Sequence, residues 1–149
     1  MTVFRFTPEK YSGDISGEGA SMYGGRWNSI GFPIVYTSIN ISLSLLEILI
    51  YSASYDQIQN NFLVRIEVPD TTIPVISETA LPKKWQSEKE HCRYIGNEFL
   101  TQKKTLLLKV PSAIVPEEFN ILINPLHPEF KKVKIASAKK FEFDGRLFK

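Results

Sequence analysis

Residues 62–68, FLVRIEV, alternate without interruption: Phe62, Val64, Ile66 and Val68 fall on one face, Leu63, Arg65 and Glu67 on the other, and Pro69 stops the run. A segment with that period is a strand with a fully apolar face, so the chain must build a sheet and close it over a core. The nearly continuous apolar run 105–110, ended by Pro111-Ser112, predicts a strand covered on both faces and puts Ser112 at its end. Shorter strands are predicted at 3–6, 33–38, 119–123, 133–137 and 141–143, with Asn124-Pro125 and His127-Pro128 as turns. Two helices are predicted. Residues 40–55 have Asn40 or Ser42 as N-cap and apolar side chains on almost every face, which predicts burial; a weaker pattern covers 89–102. Strands outnumber helices, so the expected fold is α+β with a mixed or antiparallel core.

With 149 residues and no repeat or linker-like break, the chain is expected to form a single domain, 1–149, around one core. Apolar residues at 43% and charged residues at 23% exclude a disordered, collagenous or coiled-coil chain. Eighteen basic residues against 16 acidic ones leave a net charge of +2, too balanced for a protein whose affinity rests on neutralising phosphates, so no direct nucleic-acid binding is expected. The lysine pairs at 83–84, 103–104, 131–132 and 139–140 read as solvated surface. Cys92 is the only cysteine, which excludes an intrachain disulfide and fits a reducing cytoplasm. The first ten residues hold Arg5 and Glu9 and lack the apolar region of a signal peptide. The apolar stretch 39–50 is too short to span a bilayer and contains Glu47, so no membrane association is expected. His91 and His127 lie far apart outside any ligand spacing, which argues against a metal site.

Four positions combine chemistry with an unusual setting. Glu47 sits in LSLSLLEILIY, where an ionised carboxylate is costly without a partner or a task. Ser44-Leu45-Leu46-Glu47 also satisfies a capping box, which would put Glu47 in the first helical turn holding a backbone N–H. Both readings stand at this level. Arg26 follows Gly24-Gly25, where backbone can approach a ligand closely; it is equally suited to an anion or to stacking on Trp27. The glycine-rich segment around it, with Gly13, Gly17, Gly19, Gly24 and Gly25, reads as a loop of about twenty residues, a length that is usually functional. Taken singly, Tyr36 reads as a core tyrosine and Ser112 as a turn hydroxyl.

Together these positions carry a resemblance. Gly19-Ala20, Gly24-Gly25-Arg26-Trp27-Asn28, Gly31, Pro33-Ile34-Val35-Tyr36-Thr37 and Leu45-Leu46-Glu47 resemble the opening half of the RES domain. Val110-Pro111-Ser112-Ala113 and the run from Asn120 through Pro125 with His127-Pro128 resemble its closing half, and Arg5, Trp85, Gly96 and the terminal segment from Phe143 to Leu147 also fit. Phe99 departs from the pattern, where a tryptophan is common. The arginine, glutamate and serine that name the family match Arg26, Glu47 and Ser112.

The resemblance implies a fold like that of ADP-ribosyltransferases and the toxin of a bacterial toxin-antitoxin pair, degrading NAD by cleaving its nicotinamide-ribose bond. NAD would be substrate rather than cofactor, with water or inorganic phosphate as the attacking co-substrate. An Xre-type antitoxin would be the partner, in an oligomeric complex. Arg26, Glu47 and Ser112 would be catalytic; Arg5, Gly25, Arg26, Trp27 and Tyr36 would bind substrate. Arg26 would grip the pyrophosphate or a ribose hydroxyl, Tyr36 would pack against nicotinamide or its ribose, Glu47 would stabilise the charge on the sugar, and Ser112 would orient Arg26 or the ribose. The alternatives are a mono-ADP-ribosyltransferase acting on a protein and a non-enzymatic nucleotide-binding module.

Overall fold

The strand expected at 62–68 forms as β3 (Asn61–Glu67), an inner member of a six-stranded sheet. In this computed structural model, which describes residues 1–148, the other strands are β1 (Thr2–Pro8), β2 (Val35–Ser38), β4 (Leu107–Pro111), β5 (Phe119–Ile123) and β6 (Lys134–Lys140). Their order is β4-β5-β2-β1-β3-β6 and every neighbouring pair is antiparallel, so the core is antiparallel rather than mixed. The outer edge of β4 is covered by residues 74–76 through an isolated parallel bridge between Val75 and Lys109. The outer edge of β6 carries lysines, which discourage pairing with another chain.

Register and alternation give the sheet two different faces. The first carries Val3, Val35, Val64, Ile66, Ile121 and Ile123 in one continuous apolar cluster. The second carries two clusters: Leu108, Val110 and Leu122 with Trp27 and Trp85, and Phe6 and Leu63 with Ile58 and Phe143. Between these two clusters lie the directly opposed residues Ser38 and Asn120, a polar break in the apolar surface.

The helices are α1 (Glu18–Tyr23), α2 (Ile41–Leu49), α3 (Tyr55–Ile58) and α4 (Glu90–Gln102). The helix expected over 40–55 ends early. Its last turns tighten, with Tyr51 N–H bonded to the Ile48 carbonyl and Ser52 N–H to that of Leu49, and the Ser52 hydroxyl also donates to Ile48 O at 2.8 Å. Ser54, in extended conformation, then precedes α3. The expected burial, largely complete, does not hold at the end of the segment: Ile50 is 61% and Tyr51 74% exposed, so its outer face is open to solvent.

The glycine-rich loop is not structureless, because α1 forms within it after Gly17 takes a left-handed conformation with φ of 75°. Residues 141–143 form no strand. At the end of β6 the partner β3 has run out, and Phe141 packs edge-on against both Phe6 and Phe143, while Phe143 meets Phe6 at a tilt. All eight residues of the lysine pairs are exposed. Among the described residues, no helix is long and apolar enough to cross a membrane.

Candidate active site

Asn40 begins α2: its backbone is extended and its side-chain oxygen accepts the Leu43 N–H at 2.7 Å. The capping-box reading of Glu47 is therefore wrong. Ser44 lies inside the helix, its hydroxyl turned to the Phe4 carbonyl of β1 at 3.4 Å, and Glu47 falls near the helix's C-terminal end. From there its carboxylate meets the polar break in the sheet. Oε1 accepts from Ser112 Oγ and from Asn120 Nδ2, each at 2.8 Å. Among the described residues no cation pairs with it.

Ser112 follows the last residue of β4, as its sequence position predicts, and is fully buried. Its hydroxyl accepts the N–H of Ile114 at 3.1 Å and of Val115 at 3.2 Å. With both lone pairs facing donors, its single proton is directed to Glu47. Of the two expected roles, orienting Arg26 or the ribose, the structure gives Ser112 no bond to Arg26: its proton goes to the Glu47 carboxylate.

The glycine loop forms a second cluster. The Tyr36 hydroxyl accepts the Trp27 N–H at 3.0 Å and donates to Asn28 Oδ1 at 2.6 Å, while Asn28 Nδ2 reaches the carbonyls of Ala20 and Phe32 at 2.8 and 2.9 Å. Burial pushes the Tyr36 phenol well above its ordinary value, so it stays protonated and can serve this network. Gly25 is required here, because a Cβ on it would lie 2.7 Å from the Tyr36 hydroxyl oxygen. Gly96 lets α4 press against the same loop, since a Cβ there would meet the Trp27 carbonyl oxygen at 1.6 Å.

Trp27, expected to bind substrate, is 2% exposed and packs its ring 6.4 Å from that of Trp85, so its indole belongs to the core. Arg26 donates from Nη1 to the Trp85 carbonyl at 3.0 Å and from Nη2 to that of Gln86 at 2.9 Å, and lies 5.6 Å from the Trp85 ring centre. It stacks on Trp85 rather than Trp27, and two of its five N–H groups hold the turn at 85–86. Arg93 on α4 supplies a second guanidinium, its Nε donating to the Gly25 carbonyl at 3.0 Å. Arg26 and Arg93 both act electrostatically on the Tyr36 hydroxyl.

The two clusters adjoin. Tyr36 and Ser38 project from the same side of β2, about 7 Å apart along the strand, so the guanidiniums flank one end of a short path and Glu47 the other. Tyr51, just beyond the end of α2, is 74% exposed. Arg5 is not part of this group. It alternates with Val3 onto the opposite sheet face, level with Val64, and its Nη1 donates to the Asp14 carbonyl at 3.2 Å. Burial there lowers its pKa, an effect opposed by the Asp14 carboxylate. Two grooves elsewhere, of about 440 Å³ beside α4 around Tyr94 and Phe99 and about 300 Å³ around Phe32 and Leu126, include neither Glu47 nor either guanidinium. Depth alone does not locate the chemistry.

Sequence reasoning missed Arg93 and Asn120. Arg93 lies in a helix with Glu90 and Glu98 and reads as one more solvated charge. Asn120 leaves a detectable trace: it is a polar residue on the side of its strand that otherwise presents Leu122 to the core.

The fold and site together define a small α+β protein that presents a hydrogen-bonded carboxylate and, bordering the same face of an antiparallel sheet, two guanidiniums. The chain belongs to the RES-domain family, whose model matches residues 2–144. It is 40% identical to the "Prs ADP-ribosylating toxin" of Sphingobium sp., over 91% of this chain and 88% of that protein. It is 36% identical to "Toxin Res" of Photorhabdus laumondii, over 100% of this chain and 98% of the relative. Its fold is shared with a solved chain of the M. tuberculosis MbcT-MbcA toxin-antitoxin complex, at a TM-score of 0.77 and 18% identity, over 95% of this chain and 84% of that one.

Proposed function

We propose that this chain is the toxin of a toxin-antitoxin pair and that it cleaves NAD at the nicotinamide-ribose bond. The observation that carries the reading is the Glu47 carboxylate, held on Oε1 by two neutral donors and, among the described residues, paired with no cation, so that its negative charge remains available to a developing positive charge. The C–N bond to nicotinamide breaks and its electron pair leaves with the neutral base. Positive charge then spreads over the ribose C1 and ring oxygen. Glu47 Oε2 accepts a ribose hydroxyl and stabilises that charge, as carboxylates do in glycoside hydrolysis. The three remaining N–H groups of Arg26, joined by Arg93, bind the pyrophosphate. A water oxygen attacks C1 and releases its proton, giving ADP-ribose; attack by a phosphate oxygen gives ADP-ribose 1-phosphate instead.

A partner that blocks the site is required in the producing cell, because loss of NAD would stop its own growth, and relatives named as toxins support an antitoxin in that role. A second reading shares the first step and differs in the acceptor. The relative named as an ADP-ribosylating toxin favours transfer of ADP-ribose to a protein side chain.

Incubation of the purified chain with NAD, with and without inorganic phosphate, tests both. Free nicotinamide with soluble ADP-ribose or its 1-phosphate is the expected result. Nicotinamide with label fixed on added cell protein supports the transferase reading, and no nicotinamide rejects both.

A further inference from the structure

Ser38 and Asn120 face each other across β2 and β5 on a sheet face otherwise occupied by Leu122, Val110 and Phe6. Burying a hydroxyl and an amide there destabilises the sheet relative to apolar residues unless both are fully bonded. Ser38, buried, donates to Asn120 Oδ1 at 2.7 Å. The Glu47 carboxylate, which only accepts, fixes which end of the amide is which: Nδ2 faces it and donates to Oε1 at 2.8 Å, and Oδ1 is left to accept from Ser38. Ser112 donates to the same oxygen. Both donors therefore act on Oε1 and leave Oε2 for whatever enters the site.

We propose that Asn120, its amide held between Ser38 and Glu47, is a positioning residue that locks the rotation of the Glu47 carboxylate and aims Oε2 at the substrate ribose. The catalytic part of this inference rests on the NAD reading above. The contact differs from an ordinary cross-strand polar pair, which would contribute to the sheet alone and equally well whatever residue stood at position 47.

The test is a double-mutant cycle on the full chain: nicotinamide release from NAD and thermal unfolding, for the parent, Asn120→Ala, Glu47→Gln and the double variant. Asn120→Ala is expected to lower kcat on the order of tenfold or more, with KM within about threefold. Once Glu47 is already glutamine, the same change adds less than about threefold, because Asn120 acts through that carboxylate. Ser38→Ala, which removes the contact that holds the other end of the amide, gives a smaller loss in the same direction. Equal losses on both backgrounds, or a loss confined to KM, overturn the proposal. If Asn120→Ala does not fold, Asn120→Asp keeps the size and the acceptor for Ser38 while removing the N–H; parent-like kcat in that variant overturns it as well.

A second measurement does not depend on turnover. The side-chain amide signal of Asn120, in chain labelled with ¹⁵N-asparagine, is expected to shift in both Glu47→Ala and Ser38→Ala. A signal unmoved by either change overturns the proposal. A parent that releases no nicotinamide rejects the NAD reading, and this amide signal still decides the positioning contact.

Discussion

The two faces of the sheet solve the same packing problem differently. The first buries valines and isoleucines in one unbroken cluster, and Arg5 beside it is directed to a loop carbonyl. The second is split by Ser38 and Asn120, and over that split α2 lowers Glu47. A continuous apolar face stabilises the fold; a face interrupted by a fully bonded polar pair gives up part of that stabilisation and gains a fixed carboxylate. The loop that borders the second face follows the same logic. Gly25, Gly96, Asn28 and the Tyr36 hydroxyl leave almost no free space around the backbone next to Arg26.

If tolerance to change differs as this contrast requires, the largest effect belongs to Gly96→Ala. The new methyl group would sit 1.6 Å from the Trp27 carbonyl oxygen, backbone that cannot yield without moving the whole glycine loop. A loss of about 3 kcal/mol in denaturant unfolding is expected. A midpoint within experimental error of the parent would remove the claim that α4 and the loop are in forced contact.

Tyr36→Phe comes next. It strips the acceptor from Trp27 N–H and the donor from Asn28, and is expected to lower stability by about 1–2 kcal/mol. It also alters the alkaline limb of the stability curve. In the unfolded chain the phenol ionises near its ordinary 10.0, while burial holds the proton on in the folded state. Between those two values the folded state binds more protons, so the parent loses stability as pH rises past about 10. Tyr36→Phe should show a smaller loss over that range, and an identical pH dependence in the two proteins would contradict the buried phenol.

Arg5→Met carries the smallest expected effect on activity. The side chain lies on the opposite face from Glu47, so nicotinamide release should stay within about threefold of the parent provided the chain folds, since no transition-state contact is removed. Loss of turnover in a folded Arg5→Met protein would show that the two faces are coupled, and would restore Arg5 to the substrate site.

Much of the sheet is legible in the sequence because strand alternation is a local signal. The run around Val64 and Ile66 and the placement of Ser112 just after a strand need no tertiary knowledge. Glu47 is legible as an anomaly, a carboxylate in an apolar helix, but its role is not. The Ser44–Glu47 spacing imitates a capping box, and only the Asn40 cap a turn earlier shows that the helix had already begun. Asn120 shows only as a polar position in an apolar strand, and the partners of Asn120, Ser38 and Arg93 lie beyond sequence pattern altogether. They meet their partners across 82 residues for Ser38 and Asn120, 73 for Asn120 and Glu47, and 68 for Arg93 and Gly25, separations that only the strand order and helix docking close. The early end of α2 was hidden for a different reason. The apolar run continues past Leu49, but its outer residues face solvent, so hydrophobicity there does not report burial.

Glu47→Gln separates a carboxylate kept for chemistry from one kept for structure. Glutamine preserves size and can still accept from Ser112 and Asn120, so the protein should unfold cooperatively at or near the parent temperature. What it lacks is the charge that steadies a positive ribose, and nicotinamide release measured on the same preparation should fall by on the order of a hundredfold or more. Release at close to the parent rate in that folded variant would contradict the assignment of Glu47 to the cleavage step.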